Sequence, residues 1–174
     1  MSMRNALAGL FALLVAGMAA LAETPGLGEP VDAVELARID FTVLPDGDGL
    51  PPGAGTAEEG AGVFARHCVA CHGEGGQGGI NDALVGGAGT LPSERPVKTV
   101  GSYWPYATTV FDYIRRAMPL TSPGVLSADE TYAVTAYLLF LNGIVPSDRV
   151  IDAKSLPDVK MPNRNGFEWA YSPP

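Results

Sequence analysis

The 174-residue chain is poor in the residues that most simply announce a function. Cysteine occurs twice and histidine twice. Two cysteines, Cys68 and Cys71, are too few for a disulfide framework, and two histidines leave little for an all-protein metal cage. Positive charge is also scarce: 11 Lys and Arg stand against 19 Asp and Glu, a net charge of -8. That balance excludes phosphate-backbone binding as the main business of the chain, and nucleic acid as a partner. No internal repeat, no heptad pattern and no alternating run long enough for a sheet is present, so the chemistry must sit on a small helical frame with long loops.

What is present begins with a secretory pattern. Arg4 is followed by an apolar run from Ala6 to Met18 and by the small-x-small triplet Ala20-Leu21-Ala22, which predicts a cleavable export signal over residues 1–22 and a periplasmic protein. The competing reading is an uncleaved membrane anchor, since the run to Ala22 is near the short limit for a spanning helix. Residues 23–55 are rich in Gly and Pro and read as an extended arm, with one apolar-periodic patch between Val31 and Leu44. Little of this arm is expected in the core, so the rest of the domain should survive deletion of residues 23–53.

Three helices are predicted. Thr56-Ala-Glu-Glu59 is a capping box that opens a helix running to about Cys68, with Gly60 and Phe64 on one face. Ser127-Ala-Asp-Glu130 opens another, which runs to a stop at Gly143. Between them, residues 106–117 read as a helix ended by Pro119. Residues 80–101 read as loop, and residues 144–174 as a second irregular arm.

The stretch HCVACHGEGGQGG, residues 67–79, carries the chemistry. Its glycines match G-x-G-x-x-G, but a helix precedes them and a loop follows, the reverse of a dinucleotide site. A redox C-x-x-C would open a helix in a βαβ unit, and here it closes one. A zinc site lacks its full ligand set, because beyond His72 the chain offers His67, which reads as a surface side chain. Cys68-Val-Ala-Cys71-His72 is instead C-x-x-C-H, the attachment pattern of c-type haem. Two thiols three positions apart reach the two vinyl groups of one porphyrin, and the adjacent imidazole points at the iron. The following glycines would let the chain pass close to the macrocycle edge.

Together Gly60, Phe64, Cys68, Cys71, His72 and Tyr137 resemble the class I cytochrome c pattern. The resemblance implies an all-α fold, 56–143 as a monohaem domain, one covalent haem c, and a crossing of the first and last helices at Gly60 and Phe64 against Tyr137. It also implies a methionine as second axial ligand beside His72. Met118 lies where the family places its distal loop, whereas Met161 lies in the tail and reads as a packing residue. Arg115 and Arg116 could pair with haem propionates or line a solvated helix face, and Tyr103 and Trp104 are expected to line or cover the pocket.

A narrower resemblance spans DGLPPGAGT, VKTVGSYWPYATTVFDYIRRAMP, LSADETYAVTAYLLFLNGI and KMPNRNGF. These strings are similar to cytochrome subunits of periplasmic molybdenum sulfite and sulfane dehydrogenases. The resemblance implies a molybdopterin-containing catalytic subunit as partner, a downstream cytochrome as acceptor, and no small-molecule substrate bound by this chain itself. A free-standing soluble carrier is the alternative.

Overall fold

The computed structural model describes residues 27–168 and 170–171; the expected export signal lies outside them. Among the described residues no helix is long and apolar enough to cross a membrane. The chain divides into two units, Met1–Asp40 and Phe41–Pro174. In the first, helix α1 (Ala33–Ile39) is opened by Asp32, whose carboxylate accepts from the amides of Val34 and Glu35 at 2.9 and 2.8 Å. The Ala33–Ile39 part of the apolar-periodic patch is therefore helical rather than extended.

The second unit is built on three long helices and one single-turn helix. Helix α2 (Ala57–His67) and helix α5 (Ala128–Leu141) each start with a complete capping box, Thr56 with Glu59 and Ser127 with Glu130. Each box satisfies amides that have no partner within the first turn. Helix α3 (Val69–His72) is a single turn, and helix α4 (Ala107–Ala117) ends at Met118, one residue before Pro119. Helix α5 stops where Gly143 takes φ 68°, and the amides of Gly143 and Ile144 return to Phe140 and Leu139. This closure is the left-handed stop that glycine permits.

Helices α2 and α5 cross at Gly60. A Cβ there would run into the Ala133 carbonyl and the Cβ of Tyr137. One turn on, Phe64 meets Tyr137 with ring centroids 5.5 Å apart and planes tilted by 56°. Without the glycine the two backbones could not approach, and the aromatic pair would not form. The expected crossing is thus present, as are all three expected helices and the loop over residues 80–101. The fold is the all-α class I cytochrome c fold.

Within residues 41–55 Val43 and Gly55 are the buried positions, so little of the segment before Thr56 enters the core, yet hydrogen bonds tie the segment to that core. Val43 is 3% exposed, and its amide donates to the carboxylate of buried Asp112 at 2.9 Å. Arg116 closes the other side of that carboxylate as an ion pair. Thr108 donates to the Pro45 carbonyl at 3.1 Å, and Asp129 accepts the Ala54 amide at 2.8 Å. Buried Tyr132 donates its hydroxyl to the Pro51 carbonyl at 2.8 Å; burial, with Asp152 adding to it, pushes the phenol up to about 12, so it remains a donor. The segment has no helical or strand period because single side chains on α4 and α5 hold it.

The tail is likewise irregular but embedded. Val145, Ile151, Leu156, Val159 and Met161 are all buried in the same cluster as Phe64, Phe111 and Tyr132. Two short strands, β1 (Ala54–Gly55) and β2 (Ile151–Asp152), pair antiparallel, with Gly55 opposite Ile151. Farther on, Asn163 donates to the Tyr103 carbonyl at 2.8 Å and Arg164 lies over the Tyr106 ring at 4.1 Å. Both flanks are straps across the three-helix frame.

Candidate haem site

Helix α2 ends at Cys68, whose amide still bonds Phe64 at 2.9 Å. The next turn is held by the Cys68 carbonyl, which accepts from Cys71 at 3.1 Å and His72 at 2.9 Å. This places both thiols and the imidazole on one turn of chain, the arrangement that C-x-x-C-H encodes. The glycine run then folds back on that turn. Gly78 donates to the His72 carbonyl at 2.8 Å and Asn81 to the Cys71 carbonyl at 3.0 Å. A Cβ at Gly73, which has φ 73°, would strike the Gly78 carbonyl, and one at Gly79 would lie 2.8 Å from the Cys71 carbonyl. What the glycines permit within the chain is backbone packed on backbone behind the ligand turn.

The His72 ring is oriented by that loop. Its Nδ1 lies 2.9 Å from the Asp82 carbonyl oxygen. A carbonyl can only accept, so Nδ1 carries the proton and Nε2 presents a free lone pair, the tautomer a metal ligand needs.

Cys68, Cys71, His72 and Met118 all line one cavity of about 360 Å³, whose wall is otherwise mainly apolar and includes Phe64, Leu84, Val100, Trp104, Ile114 and Leu138. All four of these donor residues are half-buried. The cysteines are free, and burial, reinforced by Cys71, pushes the Cys68 thiol up to about 11. Among the described residues no group of three or more His, Cys, Asp and Glu is arranged to hold a metal ion directly. The donor set fits a prosthetic group instead: two thiols for covalent attachment, an oriented imidazole, a thioether, and an apolar slot between helices α2, α4 and α5.

Trp104 lines this cavity as expected, with its ring edge-on to Tyr113 at 5.7 Å. Tyr103 does not; it packs edge-on against Phe167 at 5.3 Å. Arg115 is bonded to the Phe41 carbonyl and lies over the Phe41 ring, while Arg116 pairs with Asp112, so both hold the strap rather than the cavity. Met161, 3% exposed, is a packing residue, and His67 is half-buried on the cavity wall rather than on the open surface. Sequence reasoning missed Asn142. Its amide donates to the Leu84 carbonyl at 3.2 Å and its oxygen accepts from Gly86 at 3.1 Å, pinning the loop after His72 to the end of α5. Its place beside the predicted helix stop was the available signal.

The family model described as cytochrome c oxidase, cbb3-type, subunit III matches residues 55–138. No curated protein matches the chain. Among solved structures, the chain is similar to the sulfane dehydrogenase SoxCD from Paracoccus pantotrophus, at 46% identity and a TM-score of 0.79, over 83% of this chain and 72% of that one. A likeness of that identity over so much of both chains, on a frame that brings C-x-x-C-H into an apolar cavity, shows that this chain belongs to the c-type cytochromes, electron-transfer proteins that carry covalently bound haem c.

Proposed function

We propose that this cytochrome is the haem subunit of a periplasmic molybdenum-dependent sulfur dehydrogenase, taking electrons from a molybdopterin-containing subunit that oxidises sulfite or a sulfane and passing them to a downstream cytochrome. One observation carries the reading. The 46% identity to sulfane dehydrogenase SoxCD extends over 83% of the chain, well beyond the residues 55–138 shared with cytochrome domains in general. A mobile carrier has no reason to share its flanking straps with such an enzyme.

In this reading Cys68 and Cys71 would hold a single haem c through their thiols, and His72 and Met118 would be the residues that hold its iron. Bound haem supplies the one-electron chemistry. The chain supplies the rest: the Asp82 carbonyl holds the imidazole by its Nδ1 proton, the thioether of Met118 favours the reduced iron, and the apolar wall excludes water. No residue of this chain is asked to do acid or base chemistry. The export signal expected at residues 1–22 supports the periplasmic assignment, since that is the compartment in which such proteins meet their partners.

The test is gentle purification of the mature protein from its native periplasm, with haem absorbance and molybdenum followed in the same fractions. Co-elution with molybdenum and a second polypeptide is expected. Elution as a lone monohaem protein free of molybdenum would replace this reading with the free-standing carrier.

A further inference from the structure

A haem brings two propionate carboxylates to a protein that already carries a net charge of -8. A local cation would stabilise those carboxylates, and Arg115 and Arg116 are committed to Phe41 and Asp112. On the cavity wall, Lys98 is the side chain with a permanent positive charge. Its ammonium lies 5.2 Å from the centre of the Tyr103 ring, a contact that leaves its N–H donors available to an anion.

The backbone on both sides of Lys98 is fixed. The Val97 amide donates to the Thr90 hydroxyl at 3.0 Å, and the Val97 carbonyl accepts from the Ser102 hydroxyl at 2.6 Å. Buried Thr99 is bonded within the chain: its hydroxyl donates to the Gly86 carbonyl at 2.5 Å, and its amide donates to the Ser102 hydroxyl at 2.9 Å. The Val100 amide then bonds the Leu84 carbonyl at 3.2 Å, tying this segment to the loop that follows His72. The Lys98 side chain is exposed, but the backbone that carries it at the cavity wall is held on both sides.

We infer that Lys98 is the residue that binds a haem propionate and thereby raises the haem potential. The inference rests on the haem reading given above. A cation held beside the propionate disfavours the extra positive charge of ferric iron and neutralises a carboxylate that would otherwise stabilise it, and both effects have the same sign.

The experiment compares spectroelectrochemical midpoint potentials of haem-loaded wild type, Lys98→Gln, Lys98→Arg and Lys160→Gln, the last an equal charge change at an exposed lysine away from the cavity wall. Lys98→Gln is expected to lower the potential, Lys98→Arg to hold it near wild type, and Lys160→Gln to leave it unchanged. The gap for Lys98→Gln is expected to persist at about 1 M salt, where the Debye length is about 3 Å and unpaired surface charges are screened. A silent Lys98→Gln, a gap matched by Lys160→Gln, or a gap that vanishes in salt would overturn the assignment while leaving the haem reading in place. A wild-type chain that takes up no covalent haem would overturn both.

Discussion

The crossing of α2 and α5 and the straps that flank it stabilise the same core by opposite means. At the crossing the backbone itself makes the contact, because Gly60 brings one helix against the Ala133 carbonyl of the other. Along those helices many side chains are buried together, so they share the load. In residues 41–55 there is no period, and the load rests on a few point contacts: Asp112 to Val43, Thr108 to Pro45, Tyr132 to Pro51 and Asp129 to Ala54. Regularity is thus a property of how a segment is held: residues 41–55 stay largely exposed and are fixed by those few contacts.

The sharpest way to break that comparison is truncation. Deleting residues 23–40 is expected to leave the melting temperature of the haem-loaded protein unchanged, whereas deleting residues 23–53 removes Val43 and Leu50 from the core and strands Asp112 and Tyr132, with loss of the folded protein in a circular-dichroism melt. An unaffected longer deletion would show that the strap contributes nothing.

Next in size come two substitutions that should cost about 3 kcal/mol each in denaturant titrations. Gly60→Ala forces the helices apart. Met161→Ala opens a cavity in the buried tail. Met161→Ala is expected to leave the haem potential alone, while Met118→Ala lowers it sharply and alters the ferric spectrum; the reverse pattern would exchange their roles.

Asp112→Ala orphans the buried Val43 amide and should cost about 2 kcal/mol, with Asp112→Asn largely restoring it because the amide oxygen still accepts. The smallest effect belongs to Glu130. Hydrogen bonds from the Ser127 backbone and hydroxyl, and then Arg66, hold its carboxyl below the usual range. A depressed folded-state value stabilises above the unfolded carboxylate range and is lost as pH falls through the folded value. Glu130→Gln should therefore cost under about 1 kcal/mol at pH 7 for so exposed a group, and nothing at low pH, as read from stability against pH.

The sequence was most legible where a local rule leaves a local mark. Both capping boxes, the Gly143 stop and C-x-x-C-H can be read within a few residues of chain, and each element lies where those marks put it. The crossing could be anticipated from Gly60, Phe64 and Tyr137. The straps could not, because Val43 and Asp112 are 69 positions apart and neither carries a signal of the other. The same distance blindness affects the arginines: Arg115 and Arg116 look free on a helix until the Phe41 carbonyl and the buried Asp112 carboxylate are in place beside them. Two-residue strands such as β1 and β2 are too short to show alternation at all.

The bond from His72 to Asp82 has a consequence for how this site can be interrogated. It is the main-chain carbonyl of Asp82, not its carboxylate, that fixes the imidazole. Nearly any residue at position 82 offers the same oxygen, so the position can vary freely while the ligand stays aimed. A side-chain scan across the loop would find position 82 silent, although the atom that orients the His72 imidazole belongs to it. Only a change in the path of the backbone, such as a side chain introduced at Gly73 or Gly79, would reach that oxygen.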